Sequence, residues 1–360
     1  MKKTKFYNVH EKLGAKIVDF AGYKMPVMYS SIISEHKKVR ESCGVFDVSH
    51  MGEVKVKGEK ALEFVQYITT NNASKLFPGR VQYSAMCYED GGIVDDLLVY
   101  RIADDEFMLV VNASNKDKDF KWMVDNNKFG VKLTDESDEY SLLAVQGPNS
   151  QRIISKIADR TIDMEYYHFI SAKIAGVEMI VSRTGYTGEL GYELYFKGDE
   201  AEAEKVWNTI FEAGKEFDIM PVGLGARDTL RLEMGYCLYG NDIDSTTNTI
   251  ESGLGWITKL KKENFIGIDS IKKVKENGPV RKLVGMEADE KAFPRKGYDI
   301  SINGETIGNI TSGTLSPVLD RPIALGYVKS EYTEIGNSVD WVIRNKTIPA
   351  KIIQLPFVKR

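Results

Sequence analysis

Two neighbouring carboxylates, Asp95 and Asp96, stand in the segment Gly91-Gly92-Ile93-Val94-Asp95-Asp96-Leu97-Leu98-Val99-Tyr100. Side chains alternate faces along a strand, so Ile93, Asp95, Leu97 and Val99 share one side and Val94, Asp96, Leu98 and Tyr100 the other. Both faces are mainly apolar. A carboxylate there needs a partner or a polar cavity, because an unpaired buried charge is costly and its pKa rises. Two readings stand: acids satisfied by water or backbone amides at a hairpin mouth, or a reactive carboxylate in a site.

A second candidate is Arg183-Thr184-Gly185-Tyr186-Thr187-Gly188-Glu189, followed by Gly191-Tyr192-Glu193. Repeated glycines permit close approach of backbone to a ligand, and Tyr186 and Tyr192 offer rings with polar tips. A carboxylate such as Glu193 accepts two parallel hydrogen bonds from an amidine-like edge, and a pterin presents that edge through its ring NH and exocyclic amino group. A tight hairpin with an incidental acid explains the same residues equally well. Arg227, Arg231 and Glu233 further on are compatible with a structural ion-pair network.

Other chemistries lack their residues. There is no His-Glu-x-x-His, Cys-x-x-Cys, Gly-x-x-x-x-Gly-Lys or Gly-x-Ser-x-Gly pattern. His10, His36, His50 and His168 are scattered, which favours structural or surface roles over metal ligation. Ser34-x-x-Lys37 lacks the companion motifs of β-lactam enzymes, and Gly223-Leu224-Gly225-Ala226-Arg227-Asp228 lacks the third glycine of a dinucleotide fingerprint. Cys43, Cys87 and Cys237 are widely spaced, as expected of reduced, buried thiols in a cytosolic protein.

The elements that must hold these residues follow from hydrophobic periodicity. A helix is predicted from about Ser31 to Glu41, ended by Gly44, then a strand from Phe46 to Lys57 ended by Gly58. A helix carrying Ala61, Leu62, Val65 and Ile68 comes next. Strands Gln82 to Tyr88 and Ile93 to Arg101 flank the turn Glu89-Asp90-Gly91-Gly92, whose glycines supply positive φ. Phe107 to Val111 adds a strand, and Asn112 is placed to cap a helix through Phe120 and Val124. A second lobe of similar grammar has a strand from Ser141 to Val145, a helix with Ile153, Ile154 and Ile157, strands Lys173 to Arg183 and Tyr192 to Phe196, and a helix through Val206, Trp207, Ile210 and Phe211. Lys261 to Gly278 reads as a polar linker. Strands near Lys282 to Glu287, Thr306 to Ile310, Ile323 to Val328 and Pro349 to Ile353, with Pro294, Pro317 and Pro322 between them, suggest a separate barrel or sandwich beyond about residue 280.

With 360 residues, 42% hydrophobic and 28% charged, the chain has the composition of an ordinary multi-domain globular protein. Its formal net charge of −4 argues against bulk nucleic-acid binding. Met1-Lys2-Lys3-Thr4-Lys5 is followed by polar residues instead of a signal-peptide core, and no run of about 18 apolar residues occurs. A soluble, cytoplasmic protein is expected.

Taken together, the motifs resemble those of the folate-dependent aminomethyltransferase family, the T-protein of the glycine cleavage system. The resemblance spans nearly the whole chain. It is carried by Val18-Asp19-Phe20-Ala21-Gly22, Val45-Phe46-Asp47-Val48-Ser49-His50-Met51-Gly52, the Gly91-to-Asp96 hairpin and Ser182-to-Glu189. Gly223-to-Asp228, Leu238-Tyr239-Gly240-Asn241-Asp242 and Thr311-Ser312-Gly313 complete it in the same order. It implies an α+β, three-domain cloverleaf-like architecture: two α+β lobes around a central folate channel in residues 1–278 and a C-terminal β-barrel in 279–360. It also implies tetrahydrofolate as one-carbon acceptor and a lipoylated carrier protein, the H-protein, as donor. Ammonia, methylenetetrahydrofolate and the reduced carrier are then the products, with no metal, flavin or nicotinamide. By the family pattern Asp96 is the catalytic residue, the acidic side chain at the reacting centre, Glu193 and Arg227 lie on the pterin side, and Tyr83, Asn112, Tyr186 and Tyr236 line the pocket. His50 receives no proton-transfer role.

Two other functions share parts of this pattern. A folate-dependent demethylase of the same superfamily would use the same pterin pocket, and the full-length match favours the glycine-cleavage role. The non-catalytic folate-binding protein of iron–sulfur assembly carries Lys-Gly-Cys-Tyr-x-Gly-Gln-Glu, whereas this chain reads Lys262-Glu263-Asn264-Phe265-Ile266-Gly267 without the cysteine. Lys259, Lys261 and Lys262 read as solvated lysines before the linker.

Overall fold

Period-two patterning dominates the chain, and the computed structural model, which describes residues 1–344 and 346–360, turns it into mainly antiparallel sheets joined by short helices. The order begins α1 (Tyr7–Lys12), β1 (Lys16–Phe20), β2 (Tyr23–Met28), α2 (Ile32–Glu41), β3 (Gly44–Asp47), β4 (Gly52–Lys57) and α3 (Ala61–Ile68). It continues with β5 (Val81–Cys87), β6 (Ile93–Ala103), β7 (Glu106–Val111), α4 (Lys116–Asp125), β8 (Lys132–Asp135), β9 (Tyr140–Gln146) and α5 (Ser150–Ile157). Then come β10 (Phe169–Ile174), β11 (Val177–Ser182), β12 (Gly191–Lys197), α6 (Glu200–Gly214), β13 (Met220–Pro221), α7 (Leu224–Glu233) and α8 (Ile268–Asn277). The last strands are β14 (Arg281–Ala288), β15 (Asp299–Ile302), β16 (Glu305–Ser316), β17 (Arg321–Lys329), β18 (Ser338–Ile343) and β19 (Lys346–Ile353).

The chain divides into two compact units. One comprises Met1–Phe64, Ser74–Gln82 and Leu98–Asp228, the other Val65–Ala73, Tyr83–Leu97 and Thr229–Arg360. The division passes within α3, β5, β6 and α7, so each of these elements gives residues to both.

The first unit is α+β. It holds the sheet β10-β11-β12-β9-β3-β13, antiparallel except for the β3–β13 edge, and most of the sheet β5-β6-β7-β4-β8. Helices α2 and α6 start where a side chain satisfies an exposed backbone donor. Ser31 Oγ accepts from Ser34 N at 3.2 Å to cap α2, and the Asp199 carboxylate accepts from Glu202 N at 2.9 Å to cap α6. The apolar stripe of α6, Ala203, Val206, Trp207 and Ile210, packs with Val145, Val181, Leu194 and Phe196 in one buried core.

The expected strand from Phe46 to Lys57 is two strands. Asp47 breaks it: its carboxylate turns back to accept from Ser49 N at 3.0 Å, from Thr4 Oγ1 at 2.6 Å and from His10 Nε2 at 2.9 Å. The expected strand from Lys173 to Arg183 is also two, reversing at Ala175 and Gly176, both at positive φ, so that Ile174 pairs with Val177. Two central residues at positive φ give the hairpin turn that matches strand twist. Alanine in the first of them hides the signal.

In the second unit β14-β17-β16-β15-β18-β19 close into a barrel around Met286, Ile300, Ile310, Ala324, Val328 and Trp341. Sequence periodicity misses β15 and β18, which are short and carry Asp299 and Asp340 among their apolar residues. Pro322 lies inside β17 opposite Leu315, not between strands. The polar stretch Lys261 to Gly278 is no simple linker, because Ile268 and Ile271 are buried on α8, which Gly267 opens in the left-handed region.

Candidate functional site

The acidic strand β6 treats its two carboxylates differently. Asp95 is buried and Asp96 half-buried, as alternation requires, and the Tyr83 hydroxyl on β5 donates to Asp96 Oδ2 at 2.8 Å. The Tyr83 ring lies 5.9 Å from that of Trp256, which is 59% exposed. The preceding turn is fixed from two sides. Gly92 N donates to Asp90 Oδ1 at 2.9 Å, and Ile93 N donates to the carbonyls of Thr247 at 3.0 Å and Asp244 at 3.2 Å. Also in the second unit, Tyr236 follows α7, and Arg231 holds its carbonyl at 3.0 Å.

In the first unit β12 carries Glu193, paired with Ala144 of β9 and Ser182 of β11. It ends a buried polar network. Thr184 Oγ1 donates to Glu193 Oε2, Ser182 Oγ lies 2.9 Å from Thr184 Oγ1, and the Tyr100 hydroxyl reaches Tyr195 at 3.0 Å and Ser182 at 3.1 Å. Burial pushes the Glu193 pKa upward, against the Thr184 hydrogen bond, the Arg227 charge and the Tyr195 hydroxyl. Arg227 on α7 lies over the Tyr186 ring, 4.7 Å from its centroid. Asn112 precedes the turn Ala113–Asn115 without a side-chain cap, so the expected capping role is not found; it is half-buried at the end of β7. His50 is buried, and burial, then the Arg227 charge, push its pKa down to about 3, so it is neutral and a poor proton carrier.

Several of the motif positions have structural partners. A Cβ on Gly185 would come 2.1 Å from Gln146 Oε1, and one on Gly191 2.3 Å from Gln146 Nε2. These glycines make room for a glutamine side chain and not, as read from sequence, for a ligand. Glu189 is paired with Arg40 at 2.9 Å. A Cβ on Gly223 would lie 2.4 Å from the Val27 carbonyl, and Gly223 N donates to Glu35 Oε2 at 2.8 Å, so this motif seats α7 against β2. Arg231 pairs with Asp242 at 2.7 Å and Glu233 accepts from Ser316 Oγ at 2.5 Å, the structural network anticipated for them. Thr311 Oγ1 and Ser312 Oγ join it, which absorbs the late motifs.

One notable residue was missed. Glu53 on β4 is buried, and neither carboxylate oxygen has a hydrogen-bond partner among the described residues. Burial drives its pKa well above the ordinary range, Lys116 opposes, and Asp135 and Glu193 add to the rise. In sequence Glu53 shares a strand face with Lys55 and Lys57, alternating with Val54 and Val56, and reads as solvent-facing; only its contacts with distant chain segments make it a core residue. His10 lies between Asp47 at 2.9 Å and Tyr29 at 2.8 Å in a satisfied core network. All three cysteines are buried, which raises their thiol pKa values. Among the described residues no group of three or more His, Cys, Asp or Glu could hold a metal ion, and no helix is long and apolar enough to cross a membrane.

Comparison with known proteins covers both units. Residues 6–262 match the GCVT N-terminal domain, and residues 281–359 match the glycine cleavage T-protein C-terminal barrel domain. The chain is 50% identical over 359 residues to the aminomethyltransferase of Halothermothrix orenii, covering 99% of this chain and 100% of that one. It is 51% identical over 363 residues to the aminomethyltransferase of Flavobacterium psychrophilum, covering 100% of each. The crystal structure of glycine cleavage system aminomethyltransferase T from Bartonella henselae superposes with a TM-score of 0.93 at 34% identity, covering 99% of this chain and 98% of that one. The chain therefore belongs to the T-protein family, the aminomethyltransferases of the glycine cleavage system.

Proposed function

We propose that this aminomethyltransferase takes tetrahydrofolate as acceptor and an aminomethyl group on the lipoyl arm of a carrier protein, the H-protein, as donor, and that it works in the cytoplasm. The thioether-bound methylene moves to the two folate nitrogens. Those nitrogens lose one proton each, one going to the departing amine, which leaves as ammonia, and one to the carrier sulfur, which leaves as a thiol. The chemistry asks for positioning and electrostatics. The methylene becomes electron-poor as the amine departs, and an anionic carboxylate stabilises that charge and orients, or takes a proton from, the attacking nitrogen.

Asp96 is assigned this role. The observation that carries the reading is the Tyr83–Asp96 hydrogen bond, which leaves a half-buried carboxylate with one oxygen fixed by a phenol. Glu193 is assigned to the pterin edge: it is a buried acceptor, and a buried donor pair meeting it exchanges water for charge-assisted contacts. Arg227, Tyr186, Asn112, Tyr83 and Tyr236 are the remaining folate-binding residues of this proposal. Residues 1–278 would carry folate and 279–360 the supporting barrel. The test mixes purified protein, aminomethyl-lipoylated carrier and tetrahydrofolate. Ammonia and methylenetetrahydrofolate should form together, and failure with an intact carrier would shift the assignment to a folate-dependent demethylase.

A further inference from the structure

Lys262 is not the solvated lysine its neighbours suggest. Its ammonium donates all three hydrogens to backbone carbonyls, those of Gln66 at 2.7 Å, Thr69 at 2.6 Å and Asn71 at 2.7 Å. These carbonyls belong to the last turn of α3 and the segment after it, where backbone acceptors lack helical partners and a cation is favoured. Lys259 N donates to the Thr70 carbonyl at 2.9 Å and Ile266 N to the Tyr67 carbonyl at 3.0 Å, so the stretch 259–266 is tied along the whole of 66–71.

The tied segment in turn seals β5, an edge strand of its sheet. Thr70 N donates to the Ala85 carbonyl at 2.9 Å, Ala85 N to Thr70 Oγ1 at 3.3 Å, Asn71 N to Ser84 Oγ at 3.0 Å, and Asn71 Nδ2 to the Tyr83 carbonyl at 2.8 Å. Tyr83 is the residue whose hydroxyl holds Asp96. An unbroken chain of hydrogen bonds thus runs from Lys262 through Asn71 and Tyr83 to Asp96, all within one compact unit.

We propose that Asn71 and Lys262 are positioning residues for the Asp96 carboxylate, acting through Tyr83. This rests on the assignment of Asp96 as the acid at the reacting centre. A charge that acts on a developing iminium is useful only where it is held, and its support must itself be fixed. Asn71 fixes the backbone from which the Tyr83 ring projects, and Lys262 fixes Asn71.

A double-mutant cycle with Tyr83→Phe separates this from a merely structural role. Single-turnover formation of methylenetetrahydrofolate is measured with both ligands saturating for the parent, Asn71→Ala, Tyr83→Phe and the double variant, with tetrahydrofolate affinity read by calorimetry. Asn71→Ala should slow transfer roughly 10-fold with affinity within about twofold, and should slow it little further once the Tyr83 hydroxyl is gone. Lys262→Met, which keeps the aliphatic stem, should behave likewise. Losses that multiply across the cycle, or an Asn71→Ala rate equal to the parent's, overturn the proposal. If Asn71→Ala does not fold, Asn71→Asp removes the same donor at constant size and is read by the same criteria; if every variant lacking that donor or the ammonium unfolds, their role is structural and the proposal falls. An inactive parent would overturn the assignment of the reaction itself; an active parent with a multiplicative cycle overturns only the brace.

Discussion

Asp96 and Glu193 are both acids on strands, yet their surroundings fit them for different tasks. Asp96 is half-buried with a phenol on one oxygen, and Asp96→Asn keeps its size while removing the anion. Tetrahydrofolate affinity should survive that change while single-turnover transfer falls roughly 10²–10⁴-fold. Asp95→Asn, on the opposite face, should be milder, and a larger loss there would place the reacting carboxylate on the wrong side of β6. Glu193→Gln should weaken tetrahydrofolate binding by about 1.5–3 kcal/mol, because an amide replaces only part of a charge-assisted acceptor. Its raised pKa adds a sign: as pH falls Glu193 takes up a proton before an ordinary carboxylate does, so affinity declines early on acidification, and calorimetry should show that early decline vanish in Glu193→Gln. Glu53 makes a stability prediction. Its folded pKa exceeds the unfolded value of 4.5, so its contribution is fully present below that value and is lost as pH rises towards the folded one. Glu53→Gln cannot ionise, so its Tm relative to the parent should climb as pH rises above 4.5. Asp96 and Glu193 stand out in the sequence because each sits in a motif of unusual composition, whereas Glu53 and Lys262 hide in charged stretches that look solvated.

At the scale of elements, periodicity located α2, α3, α6 and the β5–β6 hairpin to within a few residues, because each pairs a clean apolar stripe or alternation with glycine or a capping residue at its end. It failed where a side chain or turn overrode the pattern: Asp47 splitting β3 from β4, Ala175-Gly176 splitting β10 from β11, and polar residues masking β15 and β18. The glycines were seen but not their reasons, since the close approach of Gln146 to Gly185 and Gly191 comes from β9, some forty residues earlier in the chain. Gly92 gives a test at this scale. A Cβ there would sit 2.1 Å from the Ser245 carbonyl oxygen, a backbone atom that cannot rotate away. Gly92→Ala should therefore displace the hairpin that carries Asp96, lowering stability by about 1–3 kcal/mol in denaturant titration and slowing transfer as well. Parent-like values for both would show that the turn relaxes without moving β6.

Across the whole molecule, the mild net charge of −4 leaves no field that would steer a polyanion, and recognition must rest on local groups. Short strands and turns pointed to a barrel or a sandwich and the family resemblance to the barrel, while the two-unit division, which threads Val65–Ala73 and Tyr83–Leu97 into the same unit as the barrel, was not anticipated, because contacts that far apart in sequence leave no local trace. That threading puts Tyr83 and Asp96 together with Asn71 and Lys262, and leaves Glu193 and Arg227 in the other unit. The transfer of the one-carbon unit can be followed atom by atom. Carrier protein bearing a ¹³C-labelled aminomethyl group on its lipoyl arm is mixed with excess enzyme and tetrahydrofolate, and one turnover is followed by NMR and ammonia assay. The proposed transfer puts the label in the methylene bridging the two folate nitrogens, with ammonia released one for one. Label remaining on an intact carrier, or ammonia released without labelled methylenetetrahydrofolate, would contradict it.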